Sequence, residues 1–113
     1  MRLPNAESAV VDLDKLTRYA LNIEHPVGRH HARVFHSALG VTFIDAKWLR
    51  DLLISAAKSS DDVVTKEKDE WGQRYQLDFP AVGLEQEVMI RSAWIVRNNE
   101  SFPRLTSCYI IEE

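Results

Sequence analysis

The sequence has little of what marks fibrous, disulfide-bonded or membrane-spanning proteins. Its 113 residues include one cysteine, four glycines and four prolines. A lone cysteine, Cys108, cannot form an internal disulfide, and the longest apolar runs, roughly four or five residues, are too short to span a bilayer. Residues 1–5 contain no apolar stretch of the kind that a secretory signal needs. From these absences we expect a cytoplasmic protein with no membrane segment.

Composition and length indicate an ordinary globular chain. Hydrophobic residues make up 45% and charged residues 27% of the sequence, which are normal values for a folded domain. The length suits one domain over residues 1–113, with enough chain to bury a core without disulfides or metals. The net charge is −3. A dedicated DNA-binding domain is usually basic, because neutralising phosphates supplies much of its affinity, so the charge argues against that class.

The first half of the sequence predicts helices. Ser8–Val11 is consistent with a short strand, after which Asp12 or Asp14 can cap a helix. A second helix is predicted over Arg29–Leu39, with Gly40 at the left-handed stop position. Thr42 or Asp45 opens a third helix that ends near Lys58. Its apolar stripe is Leu49, Leu52, Leu53, Ala56 and Ala57.

The second half predicts strands, because the apolar period changes from 3.6 to 2. Residues 59–70 are polar and are expected to be a solvated connection. Strands are predicted over residues 71–79, 87–96 and 104–111, with turns at residues 80–83 and 98–99. The middle strand is apolar on both sides, which predicts a central strand in a sheet that is covered on both faces, or covered by a partner. We expect the helices to pack on one face of the sheet. The predicted fold class is α+β, with two to three N-terminal helices packed on a C-terminal antiparallel sheet of three to four strands.

All four histidines lie within twelve residues: His25, His30, His31 and His36. Zinc sites need ligands that one element can bring together, such as two histidines at i and i+4 on a helix. These spacings place no two histidines together, and no cysteine lies nearby. The sequence therefore disfavours zinc, and we expect no metal and no other cofactor.

The predicted helix over Arg29–Leu39 separates these residues by face. Arg29, Arg33 and His36 share one face, which is either a solvated surface or a phosphate-contacting patch. His31 falls on the opposite, apolar side. It is either a histidine at the edge of the core, hydrogen-bonded to a carbonyl, or a group aimed across the crevice between helix and sheet for proton transfer.

A second group of polar residues lies in the predicted sheet. Arg91 and Ser92 interrupt the apolar central strand, and a buried arginine is costly unless it is paired. Arg91 therefore meets either a carboxylate, with Asp78 as the candidate, or the anion of a ligand. Thr106 and Tyr109 on the last strand could reach the same site, although a tyrosine there more often simply packs. No P-loop, GxSxG, CxxC or HExxH pattern is present.

The chain resembles an uncharacterised bacterial domain family. The segments that carry the resemblance are residues 3–7, 21–22, 25–28 with Ala32 and Phe35, 39–40, 70–75, 93–96 and 105–106. Members occur alone and at the C-termini of phage-associated and polymorphic toxin proteins. The family often has Lys where this chain has His31, so a fixed cation is replaced by a group that titrates near neutral pH. By its layout, the family is similar to the barnase–EndoU–colicin–RelE group of metal-independent ribonucleases.

The resemblance implies metal-independent ribonuclease chemistry of the toxin type. Such chemistry needs a base, an acid and a cation that holds the scissile phosphate. The implied catalytic residues are His25, His31, Arg91 and Thr106, and the implied substrate-binding residues are Arg29, Arg33, Ser92 and Tyr109. RNA and a small antitoxin-like protein are the expected partners.

The alternative is a non-enzymatic protein-binding module, or an inactive relative that works with a small partner protein. The acidic segment over residues 61–70, which would repel RNA, favours this alternative. The two hypotheses differ in what they require: convergence of His31, Arg91 and Thr106 in one crevice, or an exposed apolar patch.

Overall fold

Helices occupy the first half of the chain and strands the second. The computed structural model describes residues 1–112. Its main helices are α1 (Leu13–Lys15), which continues as a π-helical turn over Leu16–Ala20, α2 (Arg29–Leu39) and α3 (Ala46–Ser59). Its strands are β1 (Val64–Lys68), β2 (Gly72–Val82), β3 (Glu87–Arg97) and β4 (Pro103–Ile110), paired antiparallel in sequence order. The predicted α+β class is confirmed.

Local capping explains where the helices begin and end. The Asp12 side chain accepts a hydrogen bond from the Asp14 amide at the start of α1. Thr42 and Asp45 form a capping box around a 3₁₀ turn that leads into α3. Gly40 ends α2 with φ at +70°, the left-handed conformation that glycine adopts without strain. These caps confirm the helix boundaries that the sequence predicts.

Three local predictions are wrong. Residues 59–70 contain strand β1, and strand β2 runs through Pro80 to Val82 instead of turning at Pro80. β1 pairs with β2 only as far as Gln76, so the outer side of β2 beyond that point has no strand neighbour, and a proline there costs no ladder hydrogen bond. Residues 8–11 form no strand; a 3₁₀ turn over Ala6–Ser8 leads to a single parallel bridge from Val10 to Arg104.

The two faces of the sheet have different surroundings. Phe35 of α2 and the α3 residues Leu49 and Leu53 pack in one core cluster with Ile90 and Trp94 of β3. Arg91, Ala93 and Ile95 point the other way, because side chains alternate along a strand. We call this second side the open face; it also carries Arg74, Gln76 and Asp78 of β2, and Ser107 and Tyr109 of β4. Among residues 1–112, helices pack into a core on only one side of the sheet, as predicted, and cover of the open face by a partner stays a prediction.

Candidate active site

Three polar residues stand side by side across the open face. Asp78, Arg91 and Tyr109 are directly opposite one another in the register of β2, β3 and β4. The Arg91 guanidinium donates to both oxygens of Asp78, from Nε at 3.0 Å and from Nη2 at 2.9 Å. These hydrogen bonds, followed by the proximity of the Tyr109 hydroxyl, raise the pKa of Arg91 above its ordinary value. The carboxylate predicted as an alternative partner of Arg91 is therefore present.

Helix α2 adds His31 to this row. Its imidazole stacks on the Tyr109 ring with 4.6 Å between the ring centroids and 27° between the planes. The Nδ1 atom of His31 is closed to solvent and has no hydrogen-bond partner among the described residues. Buried polar atoms are nearly always satisfied, so this nitrogen is an exception. The carbonyl partner that a core-edge histidine would have at Nδ1 is missing.

The neighbouring His30 contacts both His31 and Glu112, the last residue that the structure describes. Its ring lies 5.6 Å from that of His31, edge to face, and its Nε2 is 2.6 Å from a Glu112 carboxylate oxygen. Imidazole, phenol and guanidinium groups thus meet where α2 borders β4. Arg91 has five N–H groups and gives two of them to Asp78, so it keeps donors for an anion. The arrangement can accept a proton at an imidazole and hold a phosphate at a guanidinium.

Two other predicted residues lie outside this cluster. Ser92 is on the core face and fully buried; its hydroxyl donates to the Leu77 carbonyl at 2.8 Å and accepts from the Trp94 indole N–H at 2.9 Å. Thr106 is the extra residue at an irregularity of β4, where the register shifts between Ala93 and Trp94. It lies three residues from Tyr109, about 10 Å along the strand, so the structure does not bring Thr106 together with His31 and Arg91 as the ribonuclease hypothesis required.

The loop before α2 gives His25 a different set of contacts. Its Nδ1 accepts hydrogen bonds from the backbone amides of Val27 and Gly28, at 3.0 and 2.9 Å, and its ring packs edge to face on Tyr19. The imidazole thus satisfies amides that a helix start would otherwise leave unpaired, and its acceptor nitrogen is occupied. Arg29 and Arg33 are exposed on α2 and form no ion pair with any residue in 1–112.

The family model for a domain of unknown function, DUF6883, matches residues 2–112. The chain belongs to this family. No curated protein matches it. Among solved structures, it is similar to a chain of a contact-dependent growth inhibition toxin–immunity protein complex from Klebsiella pneumoniae 342. The identity is 15%, the TM-score is 0.66, and the match covers 96% of this chain and 97% of that chain. A likeness at this identity establishes a shared fold.

The open face of this DUF6883 chain also carries a cavity that the sequence did not indicate. About 470 Å³ in volume, it is lined by Trp71, Arg74, Ile95, Arg97 and Thr106. Alternation along the predicted strand suggested that Trp71 shares the apolar side with Tyr75, Leu77 and Phe79. A tryptophan at the start of a predicted strand, three residues before an arginine, was the available signal. In the described part of the chain, no three metal-ligating side chains cluster, and no helix there is long and apolar enough to cross a membrane.

Proposed function

We propose that this DUF6883 chain is a metal-independent endoribonuclease whose site lies where α2 meets the open face. The observation that carries the proposal is the contact of His31 with Tyr109, beside Arg91. Here an imidazole whose Nδ1 has no partner in the described chain stands next to a guanidinium and a phenol. The likeness to a chain of a toxin–immunity complex and the resemblance to toxin-type ribonucleases support a toxin-like role.

The residues divide the reaction between them as follows. His31 takes the proton from the 2′-hydroxyl of the RNA at its Nε2, because its Nδ1 is closed to solvent, and that oxygen attacks the adjacent phosphorus. Arg91 holds the nonbridging phosphate oxygens as negative charge develops on them, a task that suits its remaining N–H groups. The bond to the 5′-oxygen breaks, that oxygen receives a proton from solvent, and the product ends in a 2′,3′-cyclic phosphate. Tyr109 orients the imidazole and donates a hydrogen bond to the phosphate.

Of the five other groups implied by the resemblance, three keep a role with the substrate, His25 keeps a structural role, and Ser92 keeps neither. Thr106 is a substrate contact further along the open face, and Arg29 and Arg33 supply exposed positive charge on α2. His25 serves the start of α2 through its hydrogen bonds to the Val27 and Gly28 amides. Ser92 has no part in substrate binding in this proposal, because both of its hydrogen bonds lie in the core.

Cleavage of a single-stranded RNA in EDTA tests this assignment. Removing a general base costs about 10²- to 10⁴-fold in rate, so His31→Ala should lose that much, and Arg91→Ala should fall comparably. The matched controls are His30→Ala, the next residue on α2, and Arg104→Ala, another strand arginine with two hydrogen bonds to one carboxylate, that of Glu100. Both controls should keep at least about half of the activity, and each folded variant should retain the wild-type circular dichroism spectrum.

The same assay contains a chemical control. A 2′-deoxy oligonucleotide lacks the attacking hydroxyl and should stay intact, and mass spectrometry of the RNA products should show the cyclic phosphate. Cleavage that needs a divalent metal, or that survives in both His31→Ala and Arg91→Ala, would refute the proposed site.

One observation favours a second function, a module that binds a small partner protein. Ile23 and Phe43 line an apolar cavity of about 310 Å³ on the side of α2 away from Tyr109, and Ile44 and Trp48 are exposed nearby in the sequence. Exposed apolar groups around a pocket are typical of protein interfaces. No cleavage of total RNA at protein excess, together with partner binding that Ile44→Ser abolishes, would favour this function over the ribonuclease.

A further inference from the structure

The cavity at the far end of the open face is built around an exposed tryptophan. Trp71 is 64% exposed, yet its backbone is fixed: its N–H donates to Asp69 Oδ1 at 2.9 Å, and its carbonyl accepts from the Asn98 N–H at 3.2 Å. The next residue, Gly72, lies so close to β3 that a Cβ would stand 2.2 Å from the Val96 carbonyl oxygen. The backbone that carries the indole is therefore fixed, and most of the indole surface is open to a ligand.

The two arginines that line the cavity differ in whether they form an ion pair. Arg74 is tied to Asp69, with 2.6 Å between its Nε and a carboxylate oxygen. Arg97, which also lines the cavity, is exposed and has no ion pair within residues 1–112. The cavity thus offers one guanidinium that is paired with a carboxylate and one that is not.

The remaining walls suit a flat ring. Ile95 is only 5% exposed but is not part of the main core cluster, so it forms an apolar floor under the side chains of the open face. Thr106 donates its hydroxyl proton to the Ala93 carbonyl at 3.1 Å and keeps lone pairs that can accept a hydrogen bond. An aromatic face, a free guanidinium, an apolar floor and a hydroxyl are the groups that hold a nucleobase with its phosphate.

The cavity and the His31 cluster lie on the same side of one sheet. Ile95 follows Arg91 by four residues along β3, about 13 Å, and Arg97 follows it by six, about 20 Å. Between them the open face carries the short or uncharged side chains Gln76, Ala93 and Ser107, which leave a path for an extended strand. Lys66 and Glu67 of β1 border this path. We propose that the Trp71–Arg97 cavity binds a nucleotide of single-stranded RNA outside the cleaved bond, with its base stacked on Trp71 and its phosphate on Arg97. The identity of the cleaved bond rests on the proposed ribonuclease function, whereas the nucleotide site itself does not.

Binding of a 2′-O-methyl RNA oligonucleotide tests the site apart from cleavage, since the methyl group blocks the attacking oxygen. Fluorescence anisotropy at fixed salt gives the dissociation constant of a labelled 12-mer. Stacking on an aromatic side chain is worth at least fivefold in affinity by alanine substitution, so Trp71→Ala should raise the Kd at least about fivefold. Trp48→Ala, which removes another exposed tryptophan from α3, should change it less than about twofold.

Two further variants test whether the aromatic ring and the positive charge contribute to binding, apart from any effect on folding. Trp71→Phe keeps an aromatic face and should recover most of the affinity. Arg97→Gln should weaken binding and lower its salt dependence by about one phosphate contact, more than Arg18→Gln, which removes one exposed charge from the π-helical turn.

The outcomes for the two proposals are distinct. Equal Kd values for Trp71→Ala and Trp48→Ala overturn the nucleotide site, even if the wild-type protein cleaves RNA in EDTA. Binding that depends on Trp71 and Arg97 supports the site, even if no cleavage is detected and the ribonuclease proposal fails.

Discussion

The two faces of strand β3 place polar side chains in opposite circumstances. On the core face, Ser92 is fully buried and both of its hydrogen bonds are made, to the Leu77 carbonyl and from the Trp94 indole. On the open face, the adjacent Arg91 is half-buried in a row with Tyr109 and His31, where His31 Nδ1 is unsatisfied. Two residues that are adjacent in the sequence therefore belong to different polar networks, one with all of its hydrogen bonds made and one without.

This difference between the two faces helps to distinguish polar residues that stabilise the fold from polar residues that bind a ligand. A polar group that is buried and fully hydrogen-bonded needs no ligand to explain it. A closed nitrogen without a partner costs free energy, about 1–3 kcal/mol for a typical group, and persists where the surrounding structure serves another purpose. The core face of β3 is thus explained by folding, and the open face is where a ligand is to be sought.

The largest contrast between the two faces should come from their tryptophans. Trp94 is fully buried, so Trp94→Ala should lower the free energy of unfolding by about 3–5 kcal/mol. Trp71→Ala, on the open face, should lower it by less than about 0.5 kcal/mol. Urea unfolding followed by circular dichroism measures both values. A loss of more than about 2 kcal/mol for Trp71→Ala would mean that the indole is structural, and would weaken the case for a nucleotide site.

A smaller contrast is expected from two serines. Ser92→Ala leaves the Trp94 indole N–H and the Leu77 carbonyl without their side-chain partner, at a cost of about 1–3 kcal/mol. Ser107→Ala removes the same atom from the open face and should change the stability by less than about 0.5 kcal/mol. Equal losses in the free energy of unfolding would show that a serine hydroxyl contributes the same stability on both faces.

Residue patterns predicted most of the fold because local rules determine most of it. The capping residues Asp12 and Thr42 and the helix-ending Gly40 act within a few positions, and their effects were predicted and confirmed. β1 was missed because all five of its residues are exposed and three are charged, so it has no apolar alternation to detect. The strand exists because β2 offers it a ladder, which is a property of the tertiary structure.

The candidate site was harder to predict because it depends on register and on the packing of a helix. Asp78 was named as a partner for Arg91, but only the register of β2 and β3 places them opposite each other. The helical wheel put His31 on the apolar side of α2, and the structure shows that its neighbour there is Tyr109. The irregularity that displaces Thr106 has no sequence signature. Trp71 was assigned to the apolar side of its strand and Arg97 was not considered, since a strand residue shows its side of the sheet only once the sheet is assembled.

The smallest predicted effect concerns acid stability at the Trp71 end of the open face. The Arg74 side chain, followed by the Trp71 amide, lowers the pKa of Asp69 below its ordinary value of 3.8, and the Gly72 amide adds to this. A carboxylate with a lowered folded-state pKa stabilises the protein above its unfolded pKa, and the contribution is lost as the pH falls through the folded value. The stability advantage of the wild type over Asp69→Asn should therefore be complete at pH 6 and shrink steadily below about pH 4.

Urea midpoints at pH 6, 4 and 3 measure that advantage, and Asp62→Asn serves as a control, because Asp62 is exposed and forms no ion pair in the described chain. If the difference in urea midpoint between wild type and Asp69→Asn stayed constant from pH 6 to pH 3, the ionised Asp69 carboxylate would not be the source of the stability difference.

Because the same carboxylate also binds the Trp71 amide and Arg74, Asp69→Asn should weaken oligonucleotide binding at neutral pH in proportion to the stability it loses. A variant that loses stability but binds normally would show that the indole keeps its place without Asp69, through the hairpin bond from Asn98 alone.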